Sequence, residues 1–526
     1  MNQPTANSYD QAPYPGYAYP QTHPDRMAVI GRVLGLDPAD VATCRVLELG
    51  CTDGGNLIPM ALSYPQAHFV GVDYSAIQID MGRAQIADLG LPNIELVQAN
   101  ILDLDQTLGQ FDYIIAHGVY SWVPSEVRDA VMAICARHLN PNGIAYISYN
   151  TYPGWHLLEP IRSLLRYRVA GIDDPMQRVA IATALIEQFA DEQNQYLGDL
   201  GMAVPLSARL LQSRLDNDMD TSHSTLLHDL MEEVNQPVYF WQFMQHADYH
   251  GLQYLAEANL GMVLPENLPM QAQAEILRMS QSGIDIEQYM DFYRGRTFRQ
   301  TLLCHAQVPL RRVLRPLRLT DCFVSSLALP VAPPVDLQPT VEMTFRANTD
   351  QYTTANPIMK AALVILAHSW PQVITVQALF EQAYEQLQAA QVVLEVPKQQ
   401  LLEQLAFDLL RAFCQSVYLV RFHSCPPQVA TEVSSHPVAS ALARRQAQTQ
   451  SIVTTLYHES VVLEPQLLRL LPLVDGTRDR AAIQRDYQAL ADSGDEAADQ
   501  ATDDMETVSN VDQLVRQLLW RGLLVE

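Results

Sequence analysis

A short glycine-rich segment carries the residues best placed to do chemistry. Residues 46–55 read VLELGCTDGG, a β-type run that enters a glycine-rich turn and then opens a helix. Gly50 and Gly54 remove side chains at this turn, so the backbone can lie close against an adenosine-type ligand. Glu48, at the end of the strand, is placed to reach an amino group of that ligand. The segment therefore predicts a nucleoside-binding turn.

A second acid supports the same interpretation. Asp73 follows Glu48 by 25 residues, at the end of a second predicted strand. A carboxylate at that position can accept hydrogen bonds from both ribose hydroxyls. A dinucleotide is the alternative ligand, since glycine-rich turns occur in several nucleotide-binding folds. However, an acid just before the first glycine would face a pyrophosphate with like charge, and this favours a nucleoside without phosphates.

Strands and helices alternate through the first half of the chain. We predict strands, with helices between most of them, at residues 45–50, 68–73, 94–98, 111–116, 143–149, 251–257 and 296–304. This spacing is typical of a parallel, doubly wound, Rossmann-like α/β sheet, here of seven strands. The helical residues between strands five and six, about 156–236, are expected to be an insertion within the same domain.

The rest of the chain predicts further regions. We expect an N-terminal arm at 1–25, the α/β domain at 26–310, a proline-rich linker with short strands at 311–355, and a C-terminal α+β region at 356–526. Two helices broken at Pro371, then a helix and a strand at 417–421, favour a winged-helix-like module, and a second copy is expected after residue 467. We expect these modules to offer interaction surface rather than parts of the nucleoside site.

The charge of the chain limits its partners. The net charge is −26, and so acidic a surface repels phosphate backbones and attracts basic substrates. Nucleic acid is therefore not expected as a partner. Lys360 and Lys398 are the only lysines. One explanation is a drift of the composition toward arginine. The alternative is that the chain is an enzyme that acts on lysine and gains by not offering its own lysines as acceptors.

Cysteine spacing and hydropathy bear on metal sites and location. Seven cysteines are scattered singly, without a CxxC pair, so neither a disulfide framework nor a metal site is expected. No apolar run approaches the roughly 18 residues that would cross a membrane. The first residues lack the basic start and apolar stretch of a secretory signal. We expect a cytoplasmic protein that does not contact a membrane.

The glycine-rich segment resembles the first motif of class I S-adenosylmethionine-dependent methyltransferases. It departs from that motif at Thr52, where glycine is common, and Asn100 stands where many members have an aspartate that contacts adenine. The resemblance implies S-adenosylmethionine as cofactor. The residues it would contact are Glu48, Gly50, Cys51, Gly54, Asn56, Asp73, Tyr74, Asn100, Ile101, His117 and Gly118.

The chain also resembles a narrower group, the methyltransferases with an appended regulatory domain. This group includes rickettsial protein lysine methyltransferases that modify outer-membrane proteins. The matching stretches are 9–14 (YDQAPY), 116–124 (AHGVYSWVP), 148–156 (SYNTYPGWH), 228–240, 296–305 and 473–478 (LVDGTR). The resemblance implies a regulatory role for the C-terminal region and an N-methyltransferase acting on protein lysine. A small-molecule methyltransferase and a cofactor-sensing scaffold are the alternatives.

Aromatic residues near the ends of strands four and five are the candidates for the acceptor site. A lysine amine must be neutral to attack a methyl group, and desolvation lowers its pKa from about 10.4. Aromatic walls provide that desolvation and still favour an incoming cation. The candidate catalytic residues are His117, Tyr120, Trp122, Tyr149 and, from an arm that would close over the site, Tyr14. For His117 the roles of general base and of cofactor contact both stay open.

Overall fold

The computed structural model describes residues 16–191, 199–215, 225–492 and 511–525, and its first half is built on one seven-stranded sheet. The spatial order of the strands is β3-β2-β1-β4-β5-β7-β6. Their bounds are β1 Arg45–Leu49, β2 His68–Asp73, β3 Ile94–Gln98, β4 Phe111–Ala116, β5 Leu139–Asn150, β6 Leu252–Glu257 and β7 Phe298–His305. The predicted seven-stranded Rossmann-like sheet is confirmed.

The sheet is mixed rather than wholly parallel. Strands β1 to β5 pair in parallel, whereas β7 runs antiparallel to both β5 and β6. The sequence did not predict this reversal, because an apolar pattern sets the faces of a strand and not its direction. The register aligns Glu48 with Gly71 of β2 and with Ile115 of β4. The carboxyl ends of β1 to β4 therefore meet at one edge, where open α/β sheets bind ligands.

Helices cover the sheet and form the insertion after β5. Their bounds are α1 Pro24–Val33, α2 Leu57–Ser63, α3 Ala76–Leu89, α4 Ser125–His138, α5 Glu159–Val169, α6 Pro175–Ala190, α7 Ala203–Leu215, α8 Phe240–Tyr249, α9 Met270–Met279 and α10 Gly283–Arg294. Local sequence sets α3: the Ser75 side chain accepts from the Gln78 N–H at its start, and Gly90 ends it at φ 64, as capping rules require.

The helices between β5 and β6 have a core of their own. Helices α5, α6 and α7 and the π-helical turn Thr225–Leu230 pack around a cluster that includes Trp155, Ile161 and Leu165. This cluster is separate from the two that line the faces of the main sheet. The predicted helical character of this stretch is confirmed.

Two small antiparallel sheets follow the main one. Their strands are β8 Phe323–Ser325, β9 Leu329–Pro330, β10 Met343–Ala347, β11 Asp350–Thr354, β12 Ile374–Thr375 and β13 Arg421–His423, in the orders β12-β8-β13 and β11-β10-β9. Helices α11 Pro357–Ser369, α12 Val376–Ala389 and α13 Lys398–Gln415 pack beside them. The strand predicted at 417–421 is found later, at β13 Arg421–His423. Hydrogen bonding to β8 sets its position, and the apolar run that motivated the prediction does not show where that pairing begins.

The last part of the chain contains the hairpin β14 Ile452–Thr454 and β15 Ser460–Val462 with the helices α14 Ala441–Gln446, α15 Pro465–Leu470, α16 Arg480–Asp492 and α17 Val511–Trp520. It encloses a fourth apolar cluster, which includes Val453, Leu470 and Leu518. The exact domain boundaries stay a prediction. Across the described ranges, no helix combines the length and the apolar character that crossing a bilayer would take.

A buried ionic cluster joins β6, β7 and α10. The Arg299 guanidinium is fully buried and donates to the Glu257, Asp291 and Glu287 carboxylates at 2.8, 2.8 and 3.0 Å. Its cation also lies 3.8 Å from the ring centre of Phe240. Because these charges are withdrawn from water, each depends on the others for compensation.

We expect Arg299→Ala to lower the free energy of unfolding by about 3–5 kcal/mol, because it removes the guanidinium that all three carboxylates share and leaves Arg296 to pair with Glu257 and Asp291 alone. Arg445→Ala is the matched control, since Arg445 pairs with Asp88 while both side chains are about half exposed. That change should cost less than about 1 kcal/mol. Urea unfolding followed by circular dichroism compares the two. Equal losses in both variants would contradict this account of the cluster.

Candidate active site

A cavity of about 470 Å³ opens at the carboxyl edge of β1 to β4, a size that suits a bound nucleoside. Ten of the eleven residues predicted to contact the cofactor line it: Glu48, Gly50, Cys51, Asn56, Asp73, Tyr74, Asn100, Ile101, His117 and Gly118. The structure therefore brings these residues together around one space. Gly54 does not line the cavity.

The turn after β1 needs left-handed backbone at three positions. Gly50 and Gly54 have φ of +77 and +78, and Thr52 between them has φ of +51. A side chain on Gly50 would also meet Val119 at 2.5 Å. A side chain on Gly54 would meet the side chains of Leu96 and Ile58 at 3.0 and 3.3 Å, so this position also favours glycine although it does not line the cavity. Thr52 occupies a conformation that a non-glycine residue rarely adopts, at the point where the sequence departs from the common motif.

Glu48 places a carboxyl group at the inner end of the cavity. Its Oε1 accepts a hydrogen bond from the Asn56 amide at 2.8 Å. Its Oε2 is buried and has no hydrogen-bond partner among the residues that the structure describes. Burial raises the pKa of Glu48 to about 8. An ammonium group of a ligand at Oε2 would satisfy this oxygen and favour its ionised form.

Asp73 is the last residue of β2 and Asn100 lies two residues after the end of β3, and both line the cavity. The Asp73 carboxylate accepts from the N–H groups of Thr52 and Ser75, both at 2.9 Å, which fixes its orientation. A carboxylate oxygen can accept more than one hydrogen bond, so these contacts leave capacity for ribose hydroxyls. The Asn100 oxygen accepts from the Leu102 N–H at 3.0 Å.

The candidate catalytic residues fall into three groups. His117 and Trp122 line the cavity. Tyr120 and Tyr149 are buried behind it: the Tyr120 hydroxyl lies 2.8 Å from Nδ1 of His246, and the Tyr149 hydroxyl 3.1 Å from Thr301. Tyr14 lies outside the described residues. The structure thus brings two of the five to the cavity and places Tyr120 and Tyr149 in the core behind it.

His117 stays neutral at physiological pH. Burial lowers its pKa to about 4, and its Nδ1 lies 3.0 Å from the Tyr146 hydroxyl. The Tyr19 ring lies 4.2 Å from the imidazole ring, centre to centre. A neutral imidazole adds no positive charge that would oppose a cationic ligand. With so low a pKa it is also a weak base.

The end of the N-terminal arm forms one wall of the cavity. Gly16, Tyr17 and Tyr19 line it, and a side chain on Gly55 would come within 2.4 Å of the Gly16 backbone. The arm therefore lies directly on the glycine-rich turn. The sequence predicted an arm that closes over the site with Tyr14. In the described part of the arm, Tyr17 and Tyr19 are the tyrosines that line the cavity.

A residue from the C-terminal region also reaches this site. His458, in the turn between β14 and β15, has φ of +60, and its Nε2 lies 2.8 Å from Oδ1 of Asn56. The same oxygen accepts from the Tyr19 N–H at 3.0 Å, and the Asn56 amide donates to Thr22 at 3.0 Å. Burial lowers the pKa of His458 well below 6.5, so it is neutral and its Nε2–H donates. No sequence motif predicted this contact, which joins residues 402 positions apart.

Comparison with known families places these features in context. Residues 46–143 match the methyltransferase domain family, residues 222–305 the predicted methyltransferase regulatory domain, and residues 435–523 the PKMT C-terminal winged helix domain. An uncharacterised protein of Rickettsia prowazekii is 34% identical over 485 residues, which cover 91% of this chain and 85% of that protein. The chain belongs to this methyltransferase family.

Solved structures agree with this assignment. PKMT2 from Rickettsia typhi in complex with AdoHcy is similar with a TM-score of 0.84 and 28% identity, over 98% of this chain and all of that one. A second structure of PKMT2 from Rickettsia typhi gives a TM-score of 0.82. The chain is therefore an S-adenosylmethionine-dependent methyltransferase. The residues of the cavity fit that cofactor, because the buried Oε2 of Glu48 has no hydrogen-bond partner among the described residues and can accept one from the ammonium group of its methionine portion.

The pKa of Glu48 predicts how ligand affinity depends on pH. Because its pKa is about 8 in the free protein, the carboxyl is mostly protonated at pH 6, and binding of an ammonium group must expel that proton. We expect the affinity for S-adenosylhomocysteine to rise about tenfold per pH unit from pH 6 to pH 7.5. Calorimetry measures this slope. Glu48→Gln should bind more weakly with a flat profile, and a flat wild-type profile would remove Glu48 from contact with the amino group.

The contact of His458 with Asn56 predicts an effect of the C-terminal region on cofactor binding. His458→Ala removes a buried hydrogen bond that orients Asn56, so we expect affinity for S-adenosylhomocysteine to fall about tenfold, or about 1.4 kcal/mol. His458→Gln, which keeps an N–H at a similar reach, should retain most of the affinity. The exposed His436 gives the control variant His436→Ala. Unchanged affinity in folded His458→Ala would show that the contact does not support the site.

Proposed function

We propose that this methyltransferase transfers methyl groups to lysine side chains of a protein substrate. The observation that carries the proposal is the similarity to PKMT2, which extends over 98% of the chain and so includes the regions beyond the methyltransferase sheet. The match of residues 435–523 to the PKMT winged helix domain adds a second, independent likeness. A small-molecule methyltransferase has no evident use for such a domain.

For the cofactor, we assign roles to the cavity residues from their positions. Glu48 Oε2 binds the amino group of the methionine portion, and Asn56 holds that carboxylate in place. Asp73 accepts from the ribose hydroxyls, and Asn100 and Ile101 border the adenine. The support for these assignments is the shared edge of β1 to β3, since each residue lies at the end of its strand or just after it.

For the acceptor, we place the lysine channel along the wall formed by Tyr17, Tyr19, His117 and Trp122. Bound S-adenosylmethionine supplies an electrophilic methyl group on its sulfonium sulfur. The lysine nitrogen forms a bond to the methyl carbon as the carbon–sulfur bond breaks, and the nitrogen then loses a proton to solvent. Aromatic side chains desolvate the amine, which favours its reactive neutral form. Neutral His117 and the tyrosines add no positive charge against it.

We also propose the division of the chain that the sequence predicted, with the methyltransferase domain at about 26–310 and the C-terminal regulatory region at about 356–526. The stretch 222–305 that matches the regulatory-domain family lies within the first of these. On this proposal the described end of the arm, with Tyr17 and Tyr19, closes one side of the cavity, and the C-terminal region presents the substrate protein. The net charge of −26 draws basic protein surfaces toward the enzyme. The chain has only two lysines among its 526 residues, so the enzyme offers few methyl-acceptor sites on its own surface.

The proposal is tested by methylation of a protein extract. Purified enzyme is incubated with a bacterial lysate and S-adenosylmethionine that carries a deuterated methyl group, and tryptic peptides are analysed by mass spectrometry. We expect label on lysine side chains. Asp73→Ala should lower the label by tens-fold at limiting cofactor, as loss of a charge-assisted contact implies (about 1.5–3 kcal/mol).

A second lysate, whose lysines have been acetylated beforehand, is the matched control and should take up no label. Label on metabolites or on other residue types would contradict the proposal and favour a different methyl acceptor.

A further inference from the structure

A cluster of two imidazoles and a carboxylate lies on the face of the sheet behind the cofactor cavity. Asp129 belongs to α4, whereas His246 belongs to α8 and His250 follows its last turn. The Asp129 Oδ1 lies 3.2 Å from Nε2 of His246 and 2.8 Å from Nε2 of His250. All three ligand atoms lie within 4.8 Å of one another. Nothing in the cofactor site uses these groups.

We propose that Asp129, His246 and His250 form a binding site for a divalent transition metal of the zinc type. Two imidazole nitrogens and one carboxylate oxygen are a donor set that Zn²⁺ uses, with a fourth position left for water. In a tetrahedral site with bonds near 2 Å, ligand atoms lie roughly 3.3 Å apart. The distances from Asp129 to the two histidines, 2.8 and 3.2 Å, are close to that spacing. The two histidine nitrogens lie within 4.8 Å of each other, so side-chain adjustment of at most about 1.5 Å between them brings the set to that spacing.

The spacing of the histidines supports the proposal. His246 and His250 are four residues apart, so their side chains lie on one face of the helix end. The last carbonyl groups of a helix carry partial negative charge, which favours a cation there. The side chain of Asp129 is 57% exposed and that of His250 12% exposed, so an ion has a route from solvent.

The surroundings of His246 supply the outer contact that metal-binding histidines usually have. Its Nδ1 lies 2.8 Å from the Tyr120 hydroxyl. When Nδ1 carries the proton and donates to Tyr120, the Nε2 lone pair faces the ion, an arrangement that fixes ring orientation and tautomer. Burial lowers the pKa of His246, the hydrogen bond to Asp129 raises it, and the charges of His250 and then Arg128 add smaller lowering effects. Arg128 is the opposing charge, and its guanidinium lies 5.7 Å from the Tyr120 ring centre.

A hydrogen-bonded cluster without metal is the competing explanation. In that case both Nε2 atoms carry protons and donate to Asp129, and Tyr120 donates to Nδ1 of His246. The two arrangements use the same atoms but differ in the position of the protons. Asp129→Asn distinguishes them, because an amide oxygen still accepts hydrogen bonds but is a much poorer metal ligand than a carboxylate.

The metal, if bound, would tie the end of α8 to α4. Through Tyr120 it would also support the segment after β4, which carries His117 and Gly118 into the cofactor cavity. The expected consequence is greater thermal stability of the methyltransferase domain, since an ion that binds the folded state alone stabilises it. This role is independent of which acceptor the enzyme methylates.

The test uses the full-length protein, stripped of metal with a chelator and then titrated with ZnCl₂. We expect one zinc ion per chain by calorimetry and a rise in the thermal midpoint. MgCl₂ should have neither effect, because Mg²⁺ prefers oxygen ligands. His250→Ala and Asp129→Asn should each weaken zinc binding at least about tenfold and abolish the rise, and Tyr120→Phe should weaken it about ten- to a hundredfold.

His436→Ala is the control, since this exposed histidine lies outside the cluster, and it should bind zinc as the wild type does. Asp129 is more than half exposed, so its substitution keeps the fold even where His250→Ala does not. No saturable zinc binding in the wild type would overturn the proposal. So would zinc binding of equal strength in Asp129→Asn, or a Mg²⁺ effect as large as that of zinc.

Discussion

The active site depends on holding a carboxyl group away from water at the end of the first strand. Burying an ionised carboxylate without compensation costs several kcal/mol, and in the free protein this cost appears as the raised pKa of Glu48. Asn56 donates to one oxygen of this carboxyl, and the other oxygen has no hydrogen-bond partner among the described residues. On the proposed assignment, the amino group of the cofactor completes this polar network.

Asn56 links that carboxyl to parts of the chain that are distant in sequence. Its amide contacts Glu48, Thr22 and Tyr19 near the N-terminus, and His458 near the C-terminus. A shift of either terminal segment would change the orientation of the amide and with it the position of the carboxylate. This contact gives the C-terminal region a physical means to influence cofactor binding, which a separate interaction module would not have.

Charged groups elsewhere in the sheet follow the same principle. Arg299 is fully buried because three carboxylates surround it, and the imidazoles of His246 and His250 converge on one carboxylate of α4. In each case residues from separate elements meet, so the elements are fixed relative to one another. The antiparallel strand β7, which carries Arg299, is thereby attached to both β6 and α10.

The sequence by itself determined the order of strands and helices along the chain and about half of the residues that line the cavity. Glu48 and Asp73 were predictable because parallel strands end at a common edge, so residues at or just beyond their ends must converge. Asn100 was predicted through the resemblance to class I methyltransferases. The tertiary structure decided what has no local signal. Burial of Tyr120 and Tyr149, the reversal of β7, and the approach of His458 to Asn56 depend on packing between distant segments, and no apolar period or motif encodes which segments meet.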